Sequence, residues 1–270
     1  MMDYYNMNGN YDIEKGGGIH YTSAPQPSAP PADVYMVQAA KELSMATNVE
    51  RADFIKRTFS ILFVQLLVTF GVVALFTLVD SVQTYVQERP GLVWLAIFLS
   101  FAFLITLGCC GDMVRTYPAN YILLSCFTLC EAYLLGVVSS YYQTPSVFYA
   151  ILMTLVVTLG LILYAVNTKT DFTGAGPYLL GVLLVFIVFG LVAGIACGTG
   201  DCKVVNLVYS AIGALVFSVY IVYDTQLIVG GSHKKHQFSV DDHVFAALSL
   251  YLDIINLFLY LLSLMGEKKR

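Results

Sequence analysis

The chain has 270 residues, of which 58% are hydrophobic and 12% are charged, and its formal net charge is −4. A soluble globular protein carries about 25% charged residues, so this composition excludes a chain that covers a water-facing surface with polar groups. The small net charge gives no reason to expect a nucleic-acid partner. The first predicted partner is therefore the lipid bilayer.

Residues 1–50 predict a disordered cytosolic tail that contains proline and tyrosine. Four prolines lie among serine and alanine between residues 21 and 35. Such a composition favours an extended, solvated chain, because it buries too little apolar area to order itself. A proline-rich tail can also bind SH3 or WW modules.

Seven apolar runs follow the tail and predict membrane-spanning helices. Each run is close to or above the ~20 residues that cross ~30 Å of hydrocarbon. The alternating ten-residue strands of a membrane β-barrel do not occur. The predicted fold is therefore an all-α membrane protein, a bundle of seven transmembrane helices within residues 51–270. The runs are Phe59–Val79, Gly91–Cys109, Ala119–Ser139, Val147–Val166, Tyr178–Cys197, Val204–Val229 and Val244–Met265.

The distribution of Lys and Arg predicts that the N-terminus is cytosolic, because short cytoplasmic loops carry an excess of these residues. Arg89 and Lys203 fall on the opposite side, together with the terminal cluster at residues 268–270. That cluster opposes the orientation, so two interpretations stay open: the charged tail is translocated, or one run does not cross fully. Seven full spans are preferred. The cations on the cytosolic side are Lys41, Arg51, Lys56, Arg57, Arg115, Lys169, Lys234 and Lys235.

Three acidic residues lie inside apolar runs, namely Glu131, Asp224 and Asp253. A carboxylate is costly to remove from water, so an acid within the membrane is a functional-site hypothesis by default. The sixth and seventh runs are joined by a short loop and should be antiparallel neighbours. Asp224 lies about six residues before this loop and Asp253 about ten after it, so their depths differ by only ~6 Å. We expect the two carboxyl groups to meet.

Two neighbouring carboxyl groups in a medium of low dielectric constant cannot both ionise cheaply, so they can share one proton. Loss of that proton leaves a negative field that can repel the helices, attract Arg115, or bind Ca²⁺ through oxygen ligands. Asp224 and Asp253 are therefore interpreted as a pH sensor or gate and a candidate Ca²⁺ site, with Arg115 competing for them. The alternative is a protonated, hydrogen-bonded pair with a structural role.

A polar stripe on the seventh run predicts further residues that line a pore. Ser249, Asp253, Asn256 and Tyr260 recur at i, i+4, i+7 and i+11, which places them on one helix face that should point into the bundle. Glu131, near the middle of the third run, is a further candidate for the same cavity. An equally good interpretation makes Glu131 a neutral acid that bonds to a neighbouring helix.

The sequence contains two strings that suggest a protease site, but their arrangement argues against one. Tyr223-Asp224 and the string GTGD at residues 198–201 resemble the two motifs of intramembrane aspartyl proteases. However, Asp201 and Asp224 lie at opposite ends of one predicted helix, roughly 35 Å apart, and the order of the motifs is reversed. A dyad of Asp224 with Asp253 is conceivable, but it lacks the flanking glycines. We predict a non-enzymatic protein without a cofactor.

The cysteines leave one question open. Cys197 and Cys202 bracket a short loop, and a disulfide between them requires that this loop face an oxidising compartment. Cys126 and Cys130 are one helical turn apart, but no neighbouring His or Cys completes a tetrahedral metal site. Both are predicted to be small packing residues.

Two long strings resemble the signature of the transmembrane Bax inhibitor motif family. They are YIVYDTQ at residues 220–226 and FAALSLYLDIINLF at residues 245–258. The string RTYPAN at residues 115–120, followed by FTL at 127–129, resembles the junction between that family's second and third helices. The tail is similar in composition to that of the Lifeguard branch.

The resemblance implies a bundle in which a central helix is surrounded by the others. It also implies a pH-sensitive Ca²⁺ leak from intracellular stores, suppression of apoptosis, and partners among apoptosis-regulating membrane proteins. Paired aspartates of the family map onto Asp224 and Asp253, and its basic latch maps onto Arg115, although related chains carry an Arg cluster there. The expected location is the endoplasmic reticulum or Golgi, with the plasma membrane as an alternative.

Two functional hypotheses follow from these residues. The first is a pH-gated cation leak in which Asp224 and Asp253 share a proton and Arg115 competes for one of them. The second is a non-conducting scaffold that regulates cell death through protein partners, by means of its tail and helix surfaces. Deletion of residues 1–50 distinguishes them, since a scaffold should lose protection while ion flux persists.

Overall fold

The computed structural model describes residues 48–109, 117–197, 202–230, 238–239 and 242–269. Several sequence predictions concern residues outside these ranges: the tail up to residue 47, Arg115, the GTGD string at 198–201, and the cations Lys234 and Lys235. The described residues form eight α-helices and a 3₁₀ turn at Thr173–Ala175. The helices are α1 (Asn48–Leu78), α2 (Asp80–Gln87), α3 (Pro90–Cys109), α4 (Ala119–Ser140), α5 (Thr144–Asn167), α6 (Gly176–Cys197), α7 (Lys203–Val229) and α8 (His243–Met265).

Seven of these helices, α1 and α3 to α8, are long and apolar enough to cross a membrane. The predicted fold class is confirmed, and the described residues contain no β-strand. Prolines begin several helices, as expected where the missing N–H costs no hydrogen bond. Pro90 is the first residue of α3, and Pro145 lies in the first turn of α5.

Helix α1 begins earlier than the apolar run from which it was predicted. It starts at Asn48 rather than Phe59. The buried residues Phe54, Thr58 and Leu62 recur every four positions, so one packed face continues into the charged part of the helix. The last three residues of the predicted tail, 48–50, are therefore helical.

The last span, α8, is the centre of the bundle. Thirteen of its 23 residues are buried, whereas only Phe186 is buried in α6. Helix α8 packs against α1, α4, α5 and α7, while α3 lies against α4 and α6 lies against α7. The central helix implied by the family resemblance is present, and it carries Asp253.

The chain's last residues are bound at the end of the bundle opposite the start of α1. The Lys269 amide donates to the Tyr141 carbonyl at 2.8 Å, and the Gln143 amide donates to the Glu267 carbonyl at 2.7 Å. The Lys269 ammonium donates to Gln83 Oε1 of α2 at 2.8 Å. The start of α1 and residues 267–269 therefore lie at opposite ends of the bundle, as an odd number of spans requires.

The structure contains the Cys197–Cys202 disulfide that the sequence left open. It joins the end of α6 to the start of α7 with a Cα–Cα distance of 5.7 Å. Cys126 and Cys130 are free and half-buried on α4. Within the described ranges, no group of three or more His, Cys, Asp or Glu residues is placed to hold a metal ion.

Candidate functional site

The structure brings Asp224 of α7 and Asp253 of α8 together. Both side chains are buried, with exposed fractions of 7% and 5%. Their carboxyl groups are in hydrogen-bonding contact with each other. The second carboxyl oxygen of Asp253, Oδ2, is buried and has no hydrogen-bond partner in the described part of the chain. This oxygen is available to a proton, a water molecule or a cation.

The position of Asp224 follows from the apolar face of its helix. Phe217, Ile221 and Ile228 are buried on α7 and lie three, four or seven residues from Asp224, so packing of this face carries the carboxyl inward. Helix α8 runs antiparallel to α7, and Ser210 Oγ donates to Ser263 Oγ at 2.8 Å further along the pair. The acids are thus held by a continuous helix–helix contact.

Two tyrosines near the pair, Tyr220 and Tyr223, were not among the predicted gate or pore-lining residues. Tyr220 interacts electrostatically with both aspartates, and Tyr223 interacts with Asp224. The Tyr223 hydroxyl lies against Gly176 at the start of α6, where an added Cβ would be 2.5 Å from the hydroxyl oxygen. The i, i+4 spacing of Tyr220 and Asp224 is the sequence signal that would have indicated the first of them.

Gln226 connects the helix turn that follows Asp224 to the end of α5 and the segment after it. Its side-chain Nε2 donates to the carbonyls of Ala165 at 3.3 Å and Thr170 at 2.9 Å. Its Oε1 accepts from the Phe172 amide at 2.8 Å. One glutamine therefore satisfies three backbone groups where α5 ends, and it fixes the helix turn that contains Asp224.

Gln226→Leu should lower the stability of the purified protein by about 1–3 kcal/mol, because backbone groups lose their partners in a buried site. Thermal unfolding in detergent measures the loss. Thr225→Val is the matched control, since the Thr225 hydroxyl is buried and has no partner among the described residues. An unchanged unfolding midpoint for Gln226→Leu would contradict this role.

Glu131 lies on a different side of α8 from the aspartate pair. Ser100 of α3 donates a hydrogen bond to Glu131 Oε1. Glu131 also interacts electrostatically with Tyr251, whose hydroxyl bonds with Thr69 of α1 at 2.8 Å. Residues 251 and 253 point about 200° apart on a helix, so this cluster and the aspartates occupy opposite faces of α8. The arrangement fits the interpretation of Glu131 as an acid bonded to a neighbouring helix.

The other predicted pore-lining residues have separate environments. Ser249 and Asn256 are half-buried, and Asn256 Nδ2 donates to the Leu252 carbonyl of its own helix at 2.8 Å. Tyr260 lies in an aromatic cluster on the side of α8 that faces α6 and α7. The described contacts do not join these three residues into one continuous polar path.

The aromatic cluster packs beside α8 on the C-terminal side of Asp253. Tyr260 stacks on Phe217 with ring centroids 5.7 Å apart, and it meets Phe186 and Tyr209 edge-on at 5.5 and 5.8 Å. A Cβ added at Gly213 would lie 2.7 Å from the Tyr260 ring, so glycine is required for this approach. Tyr260 is about 10 Å along α8 from Asp253, towards the end that holds the C-terminal residues.

The basic latch stays a prediction, because Arg115 lies outside the described residues. A polar contact does join the start of α4 to the start of α8, but it is made by a tyrosine and a histidine. The Tyr121 hydroxyl and His243 Nε2 are hydrogen-bonded at 3.1 Å. This bond joins the two helices at the end of the bundle where α7 also ends.

The fold and the site define a class: a multi-pass helical membrane protein with two acids in contact beside a central helix. A family model described as "Inhibitor of apoptosis-promoting Bax1" matches residues 51–270. The chain belongs to this family, the Bax inhibitor and lifeguard proteins, as the resemblance predicted.

Curated relatives extend over most of the chain. It is 34% identical to human Protein lifeguard 3, over 81% of this chain and 70% of the relative. The mouse protein of the same name is 33% identical over the same shares. The chain is also 35% identical to the Golgi anti-apoptotic protein of Vaccinia virus (strain Lister), over 80% of this chain and 85% of the relative.

Proposed function

We propose that the protein is a pH-sensitive leak for cations, Ca²⁺ among them, in an intracellular membrane, and that it thereby limits cell death. The observation that carries the proposal is the contact between the buried carboxyl groups of Asp224 and Asp253. An acidic side chain within a bilayer costs free energy, and such residues commonly mark the path of an ion or a proton. Oxygen ligands of this kind suit Ca²⁺.

The proposed gate is an exchange of a proton for a cation. When the pair shares a proton, the hydrogen bond between the carboxyl groups holds α7 and α8 together. When the proton leaves, two negative charges in a medium of low dielectric constant repel each other and attract a cation. Flux should therefore rise as the pH increases. Arg115 is proposed to compete with the cation for the deprotonated pair.

The cellular part of the proposal rests on the relatives. The viral relative is named as an anti-apoptotic protein of the Golgi, and the family is described as an inhibitor of an apoptosis-promoting protein. We carry both over to this chain: a Golgi or endoplasmic-reticulum membrane as its location, and control of stored Ca²⁺ as the route by which it suppresses apoptosis.

Calcium flux from liposomes that contain the purified protein tests the proposal directly. The wild type should conduct, and its flux should rise with pH, whereas Asp224→Asn combined with Asp253→Asn should flatten the pH response and lower the flux. Glu131→Gln is the matched control, because it neutralises another acid within the membrane on the opposite side of α8, and it should behave as wild type. A double variant with unchanged flux and pH response would refute the gate, and a wild type without flux would favour the scaffold hypothesis.

A further inference from the structure

A groove of about 420 Å³ lies between α1 and α4, away from the aspartates. The two helices run parallel, since Gln65 contacts Thr128 near the middle of both helices and Phe76 contacts Gly136 closer to their ends. The groove is lined by residues 60–68 of α1 and 121–129 of α4, so it lies alongside the middle of α1 and the first half of α4. All of its lining residues belong to membrane-spanning segments.

The walls of the groove are mainly apolar. Val64 and Leu129 line it and are each 57% exposed, although both lie at a depth where the surroundings are hydrocarbon. Gln65 Nε2 donates to Thr128 Oγ1 at 2.9 Å, and this bond joins the two helices across the groove. The lining from Ser60 to Val68 extends about 12 Å along α1, which is long enough for much of an acyl chain.

Two cations lie on α1 directly before the groove. Arg57 shares one helix face with Ile61, Val64 and Val68, at i, i+4, i+7 and i+11. Lys56 is one turn before Ser60, whose hydroxyl lines the groove. Lys56 and Arg57 are both exposed. They lie three and two residues before Phe59, the first residue of the predicted apolar run, at the depth where lipid headgroups are found.

We propose that this groove binds one anionic phospholipid, with an acyl chain against Val64 and Leu129 and the phosphate group at Lys56 and Arg57. Hydrocarbon is the solvent at this depth, so the occupant of the groove is a lipid. The two adjacent cations select a negatively charged headgroup over a zwitterionic one. The site is separate from the aspartate pair and does not depend on the proposed ion leak.

The test is thermal unfolding of the full chain in detergent, titrated with phosphatidylglycerol or with phosphatidylcholine of identical acyl chains. Phosphatidylglycerol should raise the unfolding midpoint saturably at a concentration at least tenfold lower than phosphatidylcholine. Soluble glycerol phosphate should give no such rise, because it lacks the chain that fills the groove. Native mass spectrometry should detect one retained phosphatidylglycerol molecule per chain.

Two sets of variants separate the headgroup from the chain. Lys56→Gln with Arg57→Gln should abolish the tenfold preference, whereas the control pair Arg89→Gln with Lys203→Gln, at the other end of the bundle, should retain it. Val64→Phe and Leu129→Phe, made separately, should fill the groove and weaken both lipids. Equal responses to the two lipids in the wild type, or an intact preference in the Lys56 and Arg57 variant, would overturn the proposal.

Discussion

Asp224→Asn alone should remove most of the pH response of the flux, and adding Asp253→Asn should change it little further. The two carboxyl groups are in contact and share one proton in the proposed gate, so they act as a unit. Replacing either acid removes the site at which a second negative charge would develop. Residues in one hydrogen-bonded network show interaction energies of about 0.5–3 kcal/mol, so the two substitutions should be clearly non-additive.

A double-mutant cycle measures this coupling, with liposome flux recorded across a pH series for the wild type, both single variants and the double variant. Asparagine is preferred to alanine because it preserves the side-chain volume and a hydrogen bond between the helices. The control cycle pairs Asp224→Asn with Glu131→Gln, which lie on different sides of α8 and should be additive within about 0.5 kcal/mol. Additive effects of Asp224→Asn and Asp253→Asn would show that the acids titrate independently and would rule out a shared proton.

Tyr260→Ala should increase the flux several-fold while it destabilises the protein. The ring packs against three other aromatic rings and fills the space between the aspartates and one end of the bundle. Its removal leaves a cavity, for which large-to-small aromatic substitutions cost about 3–5 kcal/mol. If cations pass along this side of α8, the same cavity shortens the blocked part of their path.

Tyr260→Phe is the control for this prediction, because it keeps the ring and removes only the hydroxyl group. Its flux should match that of the wild type, and its stability should fall by about 1 kcal/mol. Flux is measured in liposomes and stability by thermal unfolding of the same preparations. A Tyr260→Ala variant that is destabilised but conducts as the wild type does would place the permeation path elsewhere in the bundle.

The spans and the contact between the aspartates were both accessible from local patterns. The thickness of the hydrocarbon sets the length of each run, and a helix satisfies its backbone within the segment, so hydropathy alone locates the crossings. The boundaries of α3 to α8 lie within three residues of the predicted runs. The Asp224–Asp253 contact follows from a short loop and similar depths, which need only the helical rise.

The sequence patterns did not predict helix α2 or the first part of helix α1. Helix α2, Asp80–Gln87, is eight residues long and polar, so it has no apolar run to mark it. The first eleven residues of α1 are charged or mixed, and only the packing of Phe54 and Thr58 reveals that they continue the helix. Both lie at the ends of spans, where length and hydropathy carry little information.

The sequence by itself determined the number of spans and the closeness of Asp224 and Asp253, because both depend on distances along the chain. Only the tertiary structure decided which faces of the helices meet. It separated Glu131 from Asp253 across α8, placed Gln226 against the end of α5, and left a groove between α1 and α4. A helix that is apolar on every side has no face preference of its own, so side-chain packing between segments distant in sequence makes that choice.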